Sequence, residues 1–453
     1  MQPIKISWKP EAVFVFFVLV FSAALLLIPD IYTSPYSSVE ERYTGVVEDV
    51  DNSLIQQYGI LKAGSQTLKV RILEGPHAGR VVEASNDLIG KMESDKMFKK
   101  DDRTFVVANT DGDDISQVVA YDHYRLGVEG FLLILFAVLL FAFTGWSGLR
   151  SMVSFGFALL LIMRVMLPCI LRGYDPVWIS LGVVSVISGA TLFLVAGINR
   201  TALTAWIGAL LGILLTATMS WLLFPAFRLH GAIQPFSETL LYSGFESLNL
   251  GRLFIAAIFL GASGAVVDIA IDVAASMHEV SEKRPDLSAR ELIRSGFTMG
   301  RSMVNTMVTT LLMAYVSGYI ALLMVLLSKG VPVVHVLNLN YIAAEIMKTV
   351  IGSFGLVAVA PFTAFVGGFL FIKNRRLHDG KEKQREFLLP AQFKIEASGL
   401  GVRIGDTVSP DTAIGRDYET GEAIFAGCDG KVSGLAFSGG EHAFMVSVIP
   451  GSR

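Results

Sequence analysis

A chain of 453 residues with 53% hydrophobic and only 17% charged residues, and a mean hydropathy of +0.56, is too apolar for a soluble protein of its size. Its formal net charge of −3 excludes the basic surface that nucleic-acid binding requires. The two cysteines lie outside any CxxC or Cys/His neighbourhood, so neither a disulfide nor a zinc centre is expected. The composition is that of an α-helical polytopic membrane protein.

The first apolar run, 11–28, follows Lys5 and Lys9 and is longer than the apolar core of an ordinary signal peptide. It reads as an uncleaved anchor, with residues 1–39 forming anchor and linker. From 40 to 125 the composition turns soluble. Short runs at 43–50, 66–73, 80–84, 103–108 and 115–121, punctuated by Gly, Asn and Asp, predict a small five-stranded β-barrel of the OB type. Aromatic and basic residues do not alternate along these strands, so a structural or protein-binding role is expected in place of oligonucleotide binding.

A helical membrane domain, 126–373, follows. Its apolar spans at 127–144, 152–170, 178–196, 203–224, 252–277, 304–327 and 350–372, with the N-terminal run, make about eight transmembrane helices. With the N-terminus inside, one side receives Lys5, Lys9, Arg150, Arg200, Lys283, Arg284, Arg290, Arg294 and the basic run after 372. The other side holds Arg172, Arg228, Arg252 and Lys329. Basic residues accumulate on cytoplasmic loops, so this asymmetry places the barrel outside and both termini in the cytoplasm.

Two connections stand out. The stretch 228–250 is too apolar for a plain loop and too short to cross twice, which predicts an interfacial or re-entrant helix. In 282–296, Ser288 and Glu291 have capping-box spacing ahead of a short amphipathic helix. The chain ends in a basic linker and small cytoplasmic β domain, 374–453. Its GDTV, IG and IFAGCDGKV segments are similar to the barrel-sandwich hybrid of lipoyl and biotinyl carriers. The tip that would bear the modified lysine, 417–421, holds none, so a docking module without a covalent cofactor is expected.

The candidate chemistry sits in a membrane hairpin, 251–330, and the span after it. Helical spacing places Asp268, Asp272, Ser276 and Glu279 on one stripe below Gly261 and Ala265. A carboxylate at membrane depth costs roughly 2.5–3.5 kcal/mol, so it persists where it meets a polar partner, an ion or water. The returning helix puts Arg301, Asn305 and Thr309 on one face, with Thr306, Thr310 and Tyr315 beside them. Similar depth lets Asp272 reach Arg301 or Asn305 and be held there, with Arg301 as its ion-pair partner, leaving Asp268 among the hydroxyls of Thr309 and Thr310. In the last span Glu345 and Lys348, three residues apart, are expected to pair, with Ser353 and Pro361 further on. No Walker A, GxSxG or HExxH pattern occurs, so no enzyme activity, cofactor or metal is expected.

Three stretches, GASGAVVDIAIDVAASMHEV, RSGFTMGRSMVNTMVTTLLMAYVSG and EIMKTVIGSFGLVAVAPFTAF, resemble the YibE/F-like family of bacterial multi-pass membrane proteins. The resemblance runs from the β domain through the last span. Asp268, Gly300, Arg301, Thr306, Met307, Thr310, Glu345, Gly352, Ser353, Gly355 and Pro361 agree with the family pattern. Asp272, Ser302 and Thr309 stand where Ser, Asp and Asn are common. One carboxylate has thus moved between helices. The resemblance implies a bacterial inner-membrane location and a transport role.

The reading that follows is a secondary transporter or permease. Asp268, Asp272 and Glu345 are its ion or proton sites, with Arg301, Asn305, Thr306, Thr309, Thr310 and Ser353 around them. The alternative is a non-transporting scaffold or receptor joining the outer β domain to the inner docking module. Expected partners are the lipid bilayer, a small solute or ion, and proteins at the two β domains.

Overall fold

The protein is described from a computed structural model covering residues 10–27, 40–92, 94–111, 114–378, 385–390, 400–416, 422–438 and 443–450. The proposed carrier-type tip at 417–421 lies outside the described residues. Contacts divide the chain into two compact units. The first holds 1–199, 213–264 and 315–352, and the second holds 200–212, 265–314 and 353–453.

In the first unit, β1 (Glu40–Asp51), β2 (Ile55–Tyr58), β3 (Leu61–Ile72), β4 (Val81–Ile89), β5 (Arg103–Asp111) and β6 (Asp114–His123) form one sheet. Its order, β1-β5-β6-β4-β3-β2, closes through a further β1–β3 pairing, and β4 meets β6 in parallel at Ser85 and Val119. Without the short β2, which extends the β2–β3 hairpin, this is the five-stranded closed order of an OB barrel. Period-2 alternation sends Val47, Leu68, Val70, Ala84, Val106 and Val118 inward with Phe98. Polar side chains are sealed in with them, Gln66 and Asn86 foremost. Gln66 donates to the Phe98 carbonyl at 2.9 Å and to Asn52 at 2.8 Å, and accepts from the Phe98 amide and from Asn86. Full satisfaction removes the burial penalty of its amide.

A barrel with a closed ladder and its own core is expected to fold without the helices. Residues 40–125 expressed alone should give a single cooperative thermal transition by circular dichroism; a non-cooperative or absent transition contradicts this.

The remaining helices of this unit begin with α1 (Pro10–Leu27), α2 (Leu126–Thr144) and α3 (Trp146–Leu161). No residue of α2 is buried, so it presents apolar side chains on all sides, as a helix bathed in lipid can. Gly145, at φ 60°, makes the α2–α3 turn in a conformation other residues avoid. After α3 comes a π-helical turn, Ile162–Met166, and then α4 (Leu167–Leu171). Pro168 explains the turn: its ring crowds the carbonyl one turn back, and the Leu167 amide bonds Ile162 five residues away. With α5 (Pro176–Ala196), these helices bury Val18, Leu25, Phe157, Leu161, Val183 and Leu194 in one core. The Ser154 and Thr191 hydroxyls bridge α3 and α5 at 2.7 Å.

Helix α6 (Arg200–Leu223) continues as a 3-10 turn, Phe224–Phe227. The expected interfacial helix over 228–250 is only α7 (Ser237–Tyr242), and turns make up the rest. The apolar residues that suggested a longer helix, Leu229, Ile233 and Leu248, are instead buried anchors of that loop.

The long helices α8 (Leu250–Lys283), α9 (Ala289–Ser317) and α12 (Asn340–His378), like α6, each contribute to both units. The capping box forms, with the Ser288 amide donating to Glu291 at 2.8 Å and the Glu291 amide to Ser288 Oγ at 3.4 Å. It starts no separate short helix, because α9 runs from it unbroken into the membrane segment. The span expected at 304–327 is not straight. After Ser317 it bends by 67° into α10 (Ile320–Ser328), and α11 (Val333–Leu337) precedes α12.

Within the second unit, glycines bring four helices close. The GxxxG pair Gly296 and Gly300 of α9 packs on Met277 and Val273 of α8 and on Ala364 and Ala360 of α12. Gly212 of α6 lies against Val266 and Val359. Small residues allow membrane helices this close approach. The C-terminal residues of this unit form a four-stranded sheet in the order β7-β12-β11-β8 and a ribbon of β9 and β10. These are β7 (Arg385–Pro390), β8 (Thr407–Val408), β9 (Ala413–Arg416), β10 (Ala423–Phe425), β11 (Gly430–Ser438) and β12 (Ala443–Pro450). Val408, Ile414, Val432, Val446 and Val448 make their core.

Among the described residues six helices are long and apolar enough to cross a membrane, and the bent α9–α10 pair makes seven. The eighth expected span corresponds to α1, whose apolar part, Ala12–Leu27, falls short of the length of the others.

Candidate membrane carboxylate sites

In the first unit a polar cluster forms around the start of α12. Glu345, at the start of α12, is 7% exposed and pairs with Lys348 at 3.4 Å one turn on, as the i, i+3 spacing predicts. The Lys348 ammonium also lies 5.6 Å from the centre of the Phe254 ring of α8, a cation–π contact. At the α9–α10 bend the Tyr319 hydroxyl lies near Glu345. Tyr315, one turn earlier, buries its hydroxyl over Gly261, where an added Cβ would come within 2.6 Å of it. That hydroxyl has no hydrogen-bond partner among the described residues. A carboxylate, an ammonium and two phenols therefore converge where apolar side chains exclude water. The set can hold a proton or a small polar guest, with Tyr315 offering an unused donor.

The second unit carries the other expected residues. On α8, Asp268 and Asp272 are exposed, together with Ala275, while Val266, Ile269, Ala270, Val273, Ala274 and Met277 are buried. Gly264, one turn before Asp268 on the same helix, is exposed as well. On α9 the exposed face is formed by Arg301, Ser302, Asn305, Thr306, Thr309 and Thr310. Ser353 of α12 is half-buried.

Two expectations are corrected here. No salt bridge joins Asp272 to Arg301, although the helices are neighbours at that depth; both side chains lie on exposed faces. The threonines do not bond across helices either. Thr306 Oγ1 donates to the Met303 carbonyl at 2.9 Å and Thr310 Oγ1 to the Thr306 carbonyl at 3.2 Å, so each hydroxyl proton is used within α9. Their remaining lone pairs make them acceptors only.

Sequence reasoning missed Tyr319, Phe254 and the packing glycines. The GxxxG spacing of Gly208 and Gly212, and of Gly296 and Gly300, was the available signal for the last; the bend that delivers Tyr319 has no equivalent signature.

Several apolar helices of spanning length mark the chain as a multi-pass membrane protein. The family described as YibE/F-like protein matches residues 132–373, more than half of the chain, and the chain belongs to that family. The match begins after the barrel, so it is narrower than the resemblance implied. No curated protein and no solved structure matches the chain.

Proposed function

We propose that the chain is a secondary transporter or permease in which intramembrane carboxylates bind a proton or small cation. The observation that carries this reading is the pair Asp268 and Asp272, one turn apart on the exposed small-residue stripe of a spanning helix. Insertion penalties of a few kcal/mol per charge make such a pair costly unless it meets water, an ion or a polar partner. Asp268 is the principal site, with Asn305, Thr306, Thr309 and Thr310 as neutral acceptors or donors near it on α9, and Arg301 as the local counter-charge. Glu345 with Lys348, Tyr315 and Tyr319 is a second polar station, and Ser353 adds a hydroxyl. No catalytic chemistry is assigned. Purified protein in liposomes, with an internal pH dye and imposed gradients of protons, Na⁺ or K⁺, should show ion movement above protein-free vesicles; no movement under any gradient counts against the reading.

The placement proposed is the bacterial cytoplasmic membrane, with α1 as an eighth, uncleaved span, the barrel outside, and both termini and the C-terminal barrel-sandwich-type domain inside. The Lys and Arg asymmetry supports it. In a background with Cys169 and Cys428 replaced by Ser, a membrane-impermeant maleimide applied to intact cells should label Ser53→Cys in the barrel and spare Ser409→Cys. The reverse pattern overturns this topology.

A second reading, a scaffold or receptor, is favoured by the barrel. It has a 290 Å³ groove lined by Arg42, Tyr43, Glu74, Phe105 and Tyr121, suited to an extended protein segment. Under that reading the wild-type protein moves no ion in the liposome assay.

A further inference from the structure

The exposed polar face shared by α8 and α9 in the second unit needs a cover inside a bilayer, and its charges indicate which. Gly300 lies beside Val273, and Gly296 beside Met277, which sets the antiparallel register of the two helices. That register puts Asp272 level with Arg301 and Asp268 level with Asn305. Asp272 and Arg301 are both exposed, and no salt bridge joins them within the chain. Lipid tails cannot satisfy either group.

We propose that this face is the interface between two copies of the chain, related by a two-fold axis along the membrane normal. Such an axis preserves depth, so the Asp272 carboxylate of one copy meets the Arg301 guanidinium of the other, and the pairing occurs twice. Asp268 then faces Asn305 across the interface. A two-fold interface brings the same patch of each copy together, and this patch is self-complementary: acidic on α8, basic on α9, at one level. Ala275 on the exposed side of α8 adds no bulk to hold the copies apart. The pairing goes beyond the transport reading and does not depend on it, because the test measures association and not flux.

Two differently tagged copies are co-expressed, extracted in mild detergent, and captured on one tag while the other is counted. Wild-type copies should co-purify. Asp272→Arg paired with itself places two guanidinium groups opposite each other, and Arg301→Asp with itself places two carboxylates; each should lower recovery at least tenfold. Mixing the two variants re-forms both opposite-charge pairs, so an Asp272→Arg copy should recover an Arg301→Asp copy close to the wild-type level. An ion pair confined within one chain, or an interface with a different protein, predicts no such rescue. A second variant set covers poor folding of the charge reversals. With Cys169 and Cys428 changed to Ser, an Asp272→Cys copy should form a disulfide with an Arg301→Cys copy on mild oxidation, and neither should do so with itself. One native Asp272–Arg301 pair survives in that mixed dimer. Wild-type copies that fail to co-purify, or cysteine cross-links no more frequent in the mixed pair than in the self pairs, overturn the proposal.

Discussion

Glu345→Ala should cost about 3–5 kcal/mol of stability, the range seen when one member of a buried ion pair is removed. Lys348 is the reason. Its side chain is 15% exposed, is held 3.4 Å from Glu345, and sits over the ring of Phe254. Without the carboxylate the ammonium stays in an apolar setting with only the ring quadrupole to offset it. The double variant Glu345→Ala with Lys348→Met removes both charges and should recover most of the loss, because an apolar replacement of a buried pair is often close to neutral. Thermal unfolding in detergent, followed by tryptophan fluorescence, reads both. A single variant within about 0.5 kcal/mol of wild type would show that the pair is solvated and that this cluster is no buried station.

Gly300→Ala should be nearly as damaging for a different reason. A Cβ at Gly300 would stand 2.5 Å from the Cβ of Ala360, and that methyl group is fixed to backbone and cannot rotate away. The helices must separate, and overpacking of this kind costs about 1–3 kcal/mol. Because α8, α9 and α12 meet at this glycine, the separation also loosens the Val273 contact that sets the level of Asp272 and Arg301. Ala360→Gly in the same chain returns the space and should restore stability. Gly130→Ala on α2, where an added Cβ has nothing within 4 Å, should leave stability unchanged. A Gly300→Ala protein that melts with the wild type would mean that the four-helix packing of the second unit is wrong.

The barrel was legible because its strands alternate apolar and polar residues and end in Gly, Asn or Asp. Only β2, four residues long, gave too little alternation to register. The spans were legible by length. The 67° bend was not, because glycines such as Gly318 are common in straight membrane helices and only tertiary packing decides which of them breaks. The site shows where helical arithmetic stops. Counting from the connection put Asp272 level with Asn305 and Asp268 level with Thr309, and the Gly300–Val273 contact moves that register by one turn, to Arg301 and Asn305. Depth says nothing of how a helix is rotated about its axis, and rotation leaves both charges on exposed faces without a bond between them. Glu345 and Lys348 were found because their contact is local to one helix. Tyr319 joins them through a bend that residue spacing does not encode.

Asp268→Asn keeps the shape of the side chain and removes its charge, so the liposome assay on this variant separates the transport reading from every structural one. With Asp268 as the ion or proton site, ion movement should fall to the level of protein-free vesicles while the yield of folded protein and its melting temperature stay at wild-type values. Full ion movement in Asp268→Asn, or a loss that only tracks lost protein, would contradict the assignment of Asp268 as the transport site.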